Sequence, residues 1–82
     1  MSPTQFKAIR ERLGLSQEEL AQVLSLSGKK VVSNIETGAR NPGRLVVVIM
    51  QILDELPAKK AKELMGLLQE HNHNLGDRES NN

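Results

Sequence analysis

The chain has no cysteine, and its one aromatic residue is Phe6. Without cysteine, disulfides and thiolate metal sites are excluded, which fits a reducing compartment. With so few aromatics the core has to be aliphatic. Stacking of bases on aromatic platforms therefore cannot be how this protein holds single-stranded nucleic acid. Long apolar runs are missing too. The longest, Leu45 to Met50, is far short of the ~20 residues that span a bilayer. The N-terminus has no apolar stretch of signal-peptide length, because Lys7, Arg10 and Arg12 come too early. A soluble, cytoplasmic protein is expected. Net charge is small as well, +1 over 82 residues, whereas nucleic-acid-binding domains commonly have a pI above about 9. Placement says more than the total, because positive charge gathers at Lys29–Lys30 and from Arg40 to Arg44.

The residues of catalysis are scarce in the same way. His71 and His73 are the only histidines and lie near the C-terminal end, so a nucleophile–base pair has no base on a rigid framework. Two histidines without cysteine do not make a metal site. Gly28-Lys29-Lys30 lacks the upstream glycine, the following Ser/Thr and the preceding strand of a phosphate loop. No enzyme, catalytic residue, metal or cofactor is expected. Lys59, Lys60 and Lys62 read as the solvated face of a helix.

What is present is helical periodicity and its punctuation. The length allows one small domain, and the pattern predicts an all-α fold of five helices, at about 3–13, 16–24, 29–37, 44–56 and 57–71. Ser2 with Pro3 opens the first, Phe6, Ile9 and Leu13 form its stripe, and Gly14 ends it. Ser16-Gln17-Glu18-Glu19 matches a capping box for the second, with Leu20, Val23 and Leu24 inward and Ala21 small enough for a close helix crossing. Leu26 is the apolar plug of the following turn. The third helix buries Val32 and Ile35, with Val31 a further candidate, and stops at Gly38. Asn41-Pro42-Gly43 is a turn signal. The fourth helix is apolar on nearly every side and so needs cover on more than one side; its β-branched run also suits a buried strand, but length and helical neighbours favour helix. Ala61, Leu64, Met65 and Leu68 give the fifth helix its stripe. Residues 1–71 form the domain, and 72–82 read as a disordered tail that cannot bury enough surface to offset chain entropy.

Two short helices joined by a brief turn carry the functional argument. When the second packs across the third through Leu20, Ala21, Val23, Leu26, Val32 and Ile35, one face of the third is left bare: Lys29, Lys30, Ser33, Asn34 and Thr37. An α-helix fits the major groove, and such a face reaches base edges and phosphates together. The plain alternative is the solvated side of an ordinary amphipathic helix.

Three blocks decide between the two. Ile9-Arg10-Glu11-Arg12-Leu13-Gly14-Leu15-Ser16-Gln17-Glu18-Glu19-Leu20-Ala21, then Val32-Ser33-Asn34-Ile35-Glu36-Thr37-Gly38, then Arg40-Asn41-Pro42 resemble the Cro/C1-type (XRE-family) helix-turn-helix domain of lambdoid phage repressors and small antitoxin-like regulators. The resemblance covers roughly Ile9 to Leu56. It implies a lambda-repressor-like domain that binds an operator in double-stranded DNA. It places Gln17 on a phosphate at the start of the second helix, Lys29, Lys30, Ser33 and Asn34 among the base readers, and Arg40 and Asn41 on flanking phosphates. Arg10 and Glu36 correspond to a structural ion pair between the first helix and the end of the third. One residue more separates Leu24 from Val32 than in the family pattern, so Gly28 reads as an insertion at the tip of the turn.

A single recognition helix reads few base pairs, and two-fold dimers reading paired half-sites are the usual remedy. Helices 4 and 5, through Met50, Leu64, Leu67 and Leu68, are the expected interface of a homodimer; the alternative is that helix 5 only caps its own core. The leading expectation is a transcriptional repressor or autoregulator. The alternative is an antitoxin that binds a protein toxin as well as its operator, and a third possibility is an interaction module that has lost DNA binding.

Overall fold

Serine side chains start the first two helices, and the same reciprocal bonds recur in both. In the computed structural model, which describes residues 1–80, α1 (Pro3–Arg12) begins where Ser2 Oγ accepts from the Gln5 amide at 3.1 Å and Gln5 Oε1 accepts from the Ser2 amide at 3.0 Å. α2 (Gln17–Val23) repeats this with Ser16 and Glu19 at 3.0 and 2.8 Å. Each box satisfies two backbone donors that a helix start otherwise leaves orphaned. α3 (Lys29–Thr37) has no side-chain cap. α4 (Arg44–Glu55) ends at Leu56, whose extended backbone (ψ 145°) is what the residue before a proline prefers. α5 (Ala58–Ser80) follows Pro57. No strand occurs among the described residues, so Val46 to Ile49 belong to a helix.

The core is aliphatic around one aromatic ring. Phe6, Leu20, Val32 and Met50 are each fully buried, together with Ile9, Ala21, Val23, Leu24, Val31 and Ile35. Leu53 and Ala61, at 1% exposure each, complete the buried apolar set on α4 and α5. α2 lies against α3 on one side and α5 on the other, and α1 bridges α3 and α4. Ala21, 2% exposed, supplies the small surface that lets α3 close on α2. Leu26 is half-buried against the core. Such a core is what holds α3, since a nine-residue helix is not stable alone.

The turn between α2 and α3 places its left-handed residue at an unexpected position. Ser25 adopts φ 59°, the only non-glycine residue with positive φ among the described residues, and the chain reverses there with the Leu26 amide bonded to the Ala21 carbonyl at 2.8 Å. Gly28 instead lies in extended backbone (φ 170°) with open space around it. α3 starts at Lys29, directly after Gly28.

One expectation needs correction. Met50, assigned to a subunit interface, is fully buried in its own chain's core; Leu64 and Leu68 are half-buried, and Leu67 is exposed. α4 packs against α1 and α5 and leaves Leu45, Val48 and Ile52 exposed at 70%, 43% and 43%. α5 runs to Ser80. Asn72 Nδ2 donates to the Gln22 carbonyl at 2.8 Å, fastening α5 to the end of α2. Of the expected tail, residues 81–82 lie outside the described residues.

Left-handed backbone costs a side-chain-bearing residue about 1–2 kcal/mol. Ser25→Gly should therefore raise stability by about 0.5–1 kcal/mol after the entropy gained by the unfolded chain. Gly38→Ala, at φ 85°, should lower it by at least about 1 kcal/mol. Thermal melts followed by circular dichroism read both.

Candidate nucleic-acid interface

α3 is amphipathic in the strict sense. Val31, Val32 and Ile35 face inward at 9%, 0% and 2% exposure. On the opposite side Lys29, Lys30 and Thr37 are exposed, and Ser33 and Asn34 are half-buried. These five outward positions share one face because spacings of three and four residues return to the same side of a helix. The exposed N-terminal end of α3 combines free amide dipoles with two lysines, and both favour an anion there.

The C-terminal end of α3 is joined to the loop that follows it. The Asn34 carbonyl accepts from Thr37 Oγ1 at 3.2 Å and from the Arg40 amide at 3.1 Å. Gly38 turns the chain in the left-handed conformation between them, and it sits against Pro3. Arg40 and Asn41 are both exposed in that loop. One carbonyl thus sets where the loop's charged and polar side chains leave the body of the protein.

Beneath this face lies the most elaborate polar network of the chain. Arg10 grips Glu36 with both arms, Nε to Oε2 at 2.5 Å and Nη2 to Oε1 at 3.1 Å, and its Nη1 donates to the Leu15 carbonyl at 2.8 Å. The side chains are 12% and 4% exposed. Gln17 Nε2 donates to Glu36 Oε1 at 3.1 Å. One carboxylate therefore joins α1, α2 and α3, and every buried side-chain polar atom among the described residues has a partner. Burial pushes the Glu36 carboxyl up, but the hydrogen bonds from Arg10 and Gln17 and the charges of Arg10 and Lys7 outweigh it, so it stays below the usual glutamate range. The same hydrogen bond raises Arg10 above its ordinary value against the cost of its burial.

Sequence reasoning placed Gln17 on a phosphate; the structure has it half-buried with one amide hydrogen on Glu36. It also missed a second tie. Arg12 pairs with Asp54 and donates from Nη2 to the Asp54 carbonyl at 2.8 Å, fastening α1 to the end of α4. Neither contact has a sequence signal, because the partners lie far apart in the chain and share no periodicity.

With this geometry in hand, comparison with known proteins is informative. A model of the helix-turn-helix family matches residues 6–50, more than half of the chain. The chain belongs to that family, in its Cro/C1-type form, and is an all-α, lambda-repressor-like protein of the DNA-binding transcription regulator kind. No curated protein and no solved structure matches. Among the described residues no helix is long and apolar enough to cross a membrane.

The carboxyls of Glu36 and Glu19 are both held below their ordinary value, Glu19 by the Ser16 hydrogen bonds. Stability they contribute is present above the glutamate range and lost as pH falls through their folded-state values. Arg10 stays charged in both states near neutrality and adds no slope there. Unfolding free energy from urea titrations should be level around pH 6–8 and fall below about pH 4.5. Glu36→Gln should cost about 2–4 kcal/mol at pH 7, since it strands a buried guanidinium, and should flatten the acid-side fall.

Proposed function

We propose that this protein is a transcriptional repressor or autoregulator. In this reading it binds an operator as a homodimer, with α3 of each subunit in the major groove. The observation that carries the proposal is the bare outer face of α3: Lys29, Lys30, Ser33, Asn34 and Thr37 lie opposite a buried apolar face. Lysines and short polar side chains at that position suit phosphates and base edges together. Arg40 and Asn41, in the loop tied to the end of α3, suit the flanking phosphates. Gln17 keeps an amide oxygen and a second amide hydrogen beyond its bond to Glu36. That suits a phosphate contact whose geometry the buried carboxylate pre-sets. Occupancy of a promoter-overlapping site is sufficient for repression and asks nothing further of so small a domain.

Selection of bound duplexes from a random pool gives the operator. On that operator, Lys30→Ala and Ser33→Ala should each weaken specific binding by about 1–3 kcal/mol and relax the preferred base at one position. Their effect on non-specific binding should be smaller. Gln17→Ala should weaken specific and non-specific binding about equally and leave the slope of log K against log salt unchanged, because a neutral amide releases no counterion. If replacing Lys29, Lys30 and Ser33 together leaves the preferred sequence unchanged, α3 is not the reading helix.

A further inference from the structure

The outward side of α4 is apolar and exposed among the described residues. Met50 and Leu53 are buried in the core, and Val46 and Ile49 pack against it. Leu45, Val48 and Ile52 recur at intervals of three and four on the opposite side and are exposed at 70%, 43% and 43%. β-branched and leucine side chains aligned this way form a seam along most of a twelve-residue helix. The exposed charges beside the seam are arranged by sign: Arg44 stands at its N-terminal end and Glu55 at its C-terminal end, on the same flank.

We propose that this seam is where two copies of the chain pair, α4 against α4, antiparallel about a two-fold axis. The inference rests on the dimeric reading given above and names its contact. In an antiparallel pair related by such an axis, the same flank of each helix meets its counterpart, and residues whose numbers sum to a constant face each other. Setting Val48 against Ile52 of the partner subunit brings Ile52 against the partner's Val48. The same register brings Arg44 within reach of the carboxylate of the partner's Glu55, twice by symmetry, and leaves Leu45 on the other flank of the seam. A parallel pair would instead put the two charged flanks on opposite sides of the seam, where Arg44 and Glu55 do not meet. The charges therefore select the antiparallel orientation, and the apolar register and the charge register coincide.

The seam is small. Three side chains from each copy give less than the about 800 Å² per partner typical of stable complexes. The free dimer belongs to the weak class and is reinforced when both subunits share one duplex, because the second contact becomes intramolecular. Leu67 on α5 is also exposed, at 53%, but it is flanked by Glu63, Glu70 and His71 and has no apolar neighbour of comparable exposure among the described side chains of its helix.

Sedimentation of the full chain without DNA, up to hundreds of micromolar, tests this apart from operator binding. Wild type should rise with concentration towards twice the 9.1 kDa chain mass. Val48→Asp with Ile52→Asp should remain at the single-chain mass with an unchanged circular dichroism spectrum, since both positions are exposed. Leu67→Asp should associate like wild type. Arg44→Glu and Glu55→Arg should each weaken association about 3- to 10-fold, and together restore it to within about twofold. Both substitutions agree with the dipole of α4, so the fold is not at risk. The proposal fails if the double aspartate variant associates like wild type, if Leu67→Asp abolishes association, or if the paired charge swap is no tighter than either single. Wild type that stays at the single-chain mass throughout also overturns it and leaves the seam to a different partner. The DNA-binding reading stands or falls on the selected operator, whichever of these results appears.

Discussion

The Glu36 carboxylate is the constraint on which the rest of the structure depends. It accepts from Arg10 on α1 and from Gln17 on α2 while standing on α3. Three helices of seven to ten residues have little stability of their own. Apolar contacts hold them together, yet such contacts are non-directional and tolerate rotation of one short helix on another. A bidentate ion pair with 2.5 and 3.1 Å contacts does not tolerate it. It fixes the rotation of α3 about its axis, and hence which five residues face outward.

The network also joins stability to recognition. Gln17 belongs to it and at the same time sits at the exposed start of α2, next to the proposed DNA face. A change at Arg10 or Glu36 would reach the interface without touching DNA, through the orientation of Gln17 and of α3. The outward surfaces divide by chemistry: α3 presents lysines and short polar groups, whereas α4 presents aliphatic side chains. A chain with an aliphatic core this small keeps few interactions in reserve, and the Arg12–Asp54 and Asn72–Gln22 ties add polar links at helix ends beside the core residues Leu53 and Val23.

Much of this was legible in the residues. Ser2 and Ser16 announce two helix starts, Gly14 and Gly38 two ends, and the periodicity of Val32 and Ile35 gives α3 its inward face. These are local signals, set by neighbours three or four positions away. The bounds of α1 to α4 read from sequence accordingly differ from those of the structure by about one residue. What escaped was non-local or depended on competition between like residues. Arg12 finds Asp54, 42 positions on, with no pattern to join them. The Arg10–Glu36 pair came to the sequence only through a family resemblance. In α4, where nearly every residue is apolar, periodicity cannot tell core from surface, so Met50 was placed outside and Leu45 was not singled out. In the turn, glycine drew attention at position 28 while the left-handed conformation fell on Ser25.

The central claim is that α3, locked by Glu36, is the element presented to DNA. Backbone amide shifts of the labelled protein, followed while its selected duplex is added, test it most directly. The account predicts the largest changes at Lys29 to Thr37, Arg40 and Asn41, with the Arg10–Glu36 contact intact in the complex. Amides of α3 that stay in place while those of α5 or α1 move would contradict it.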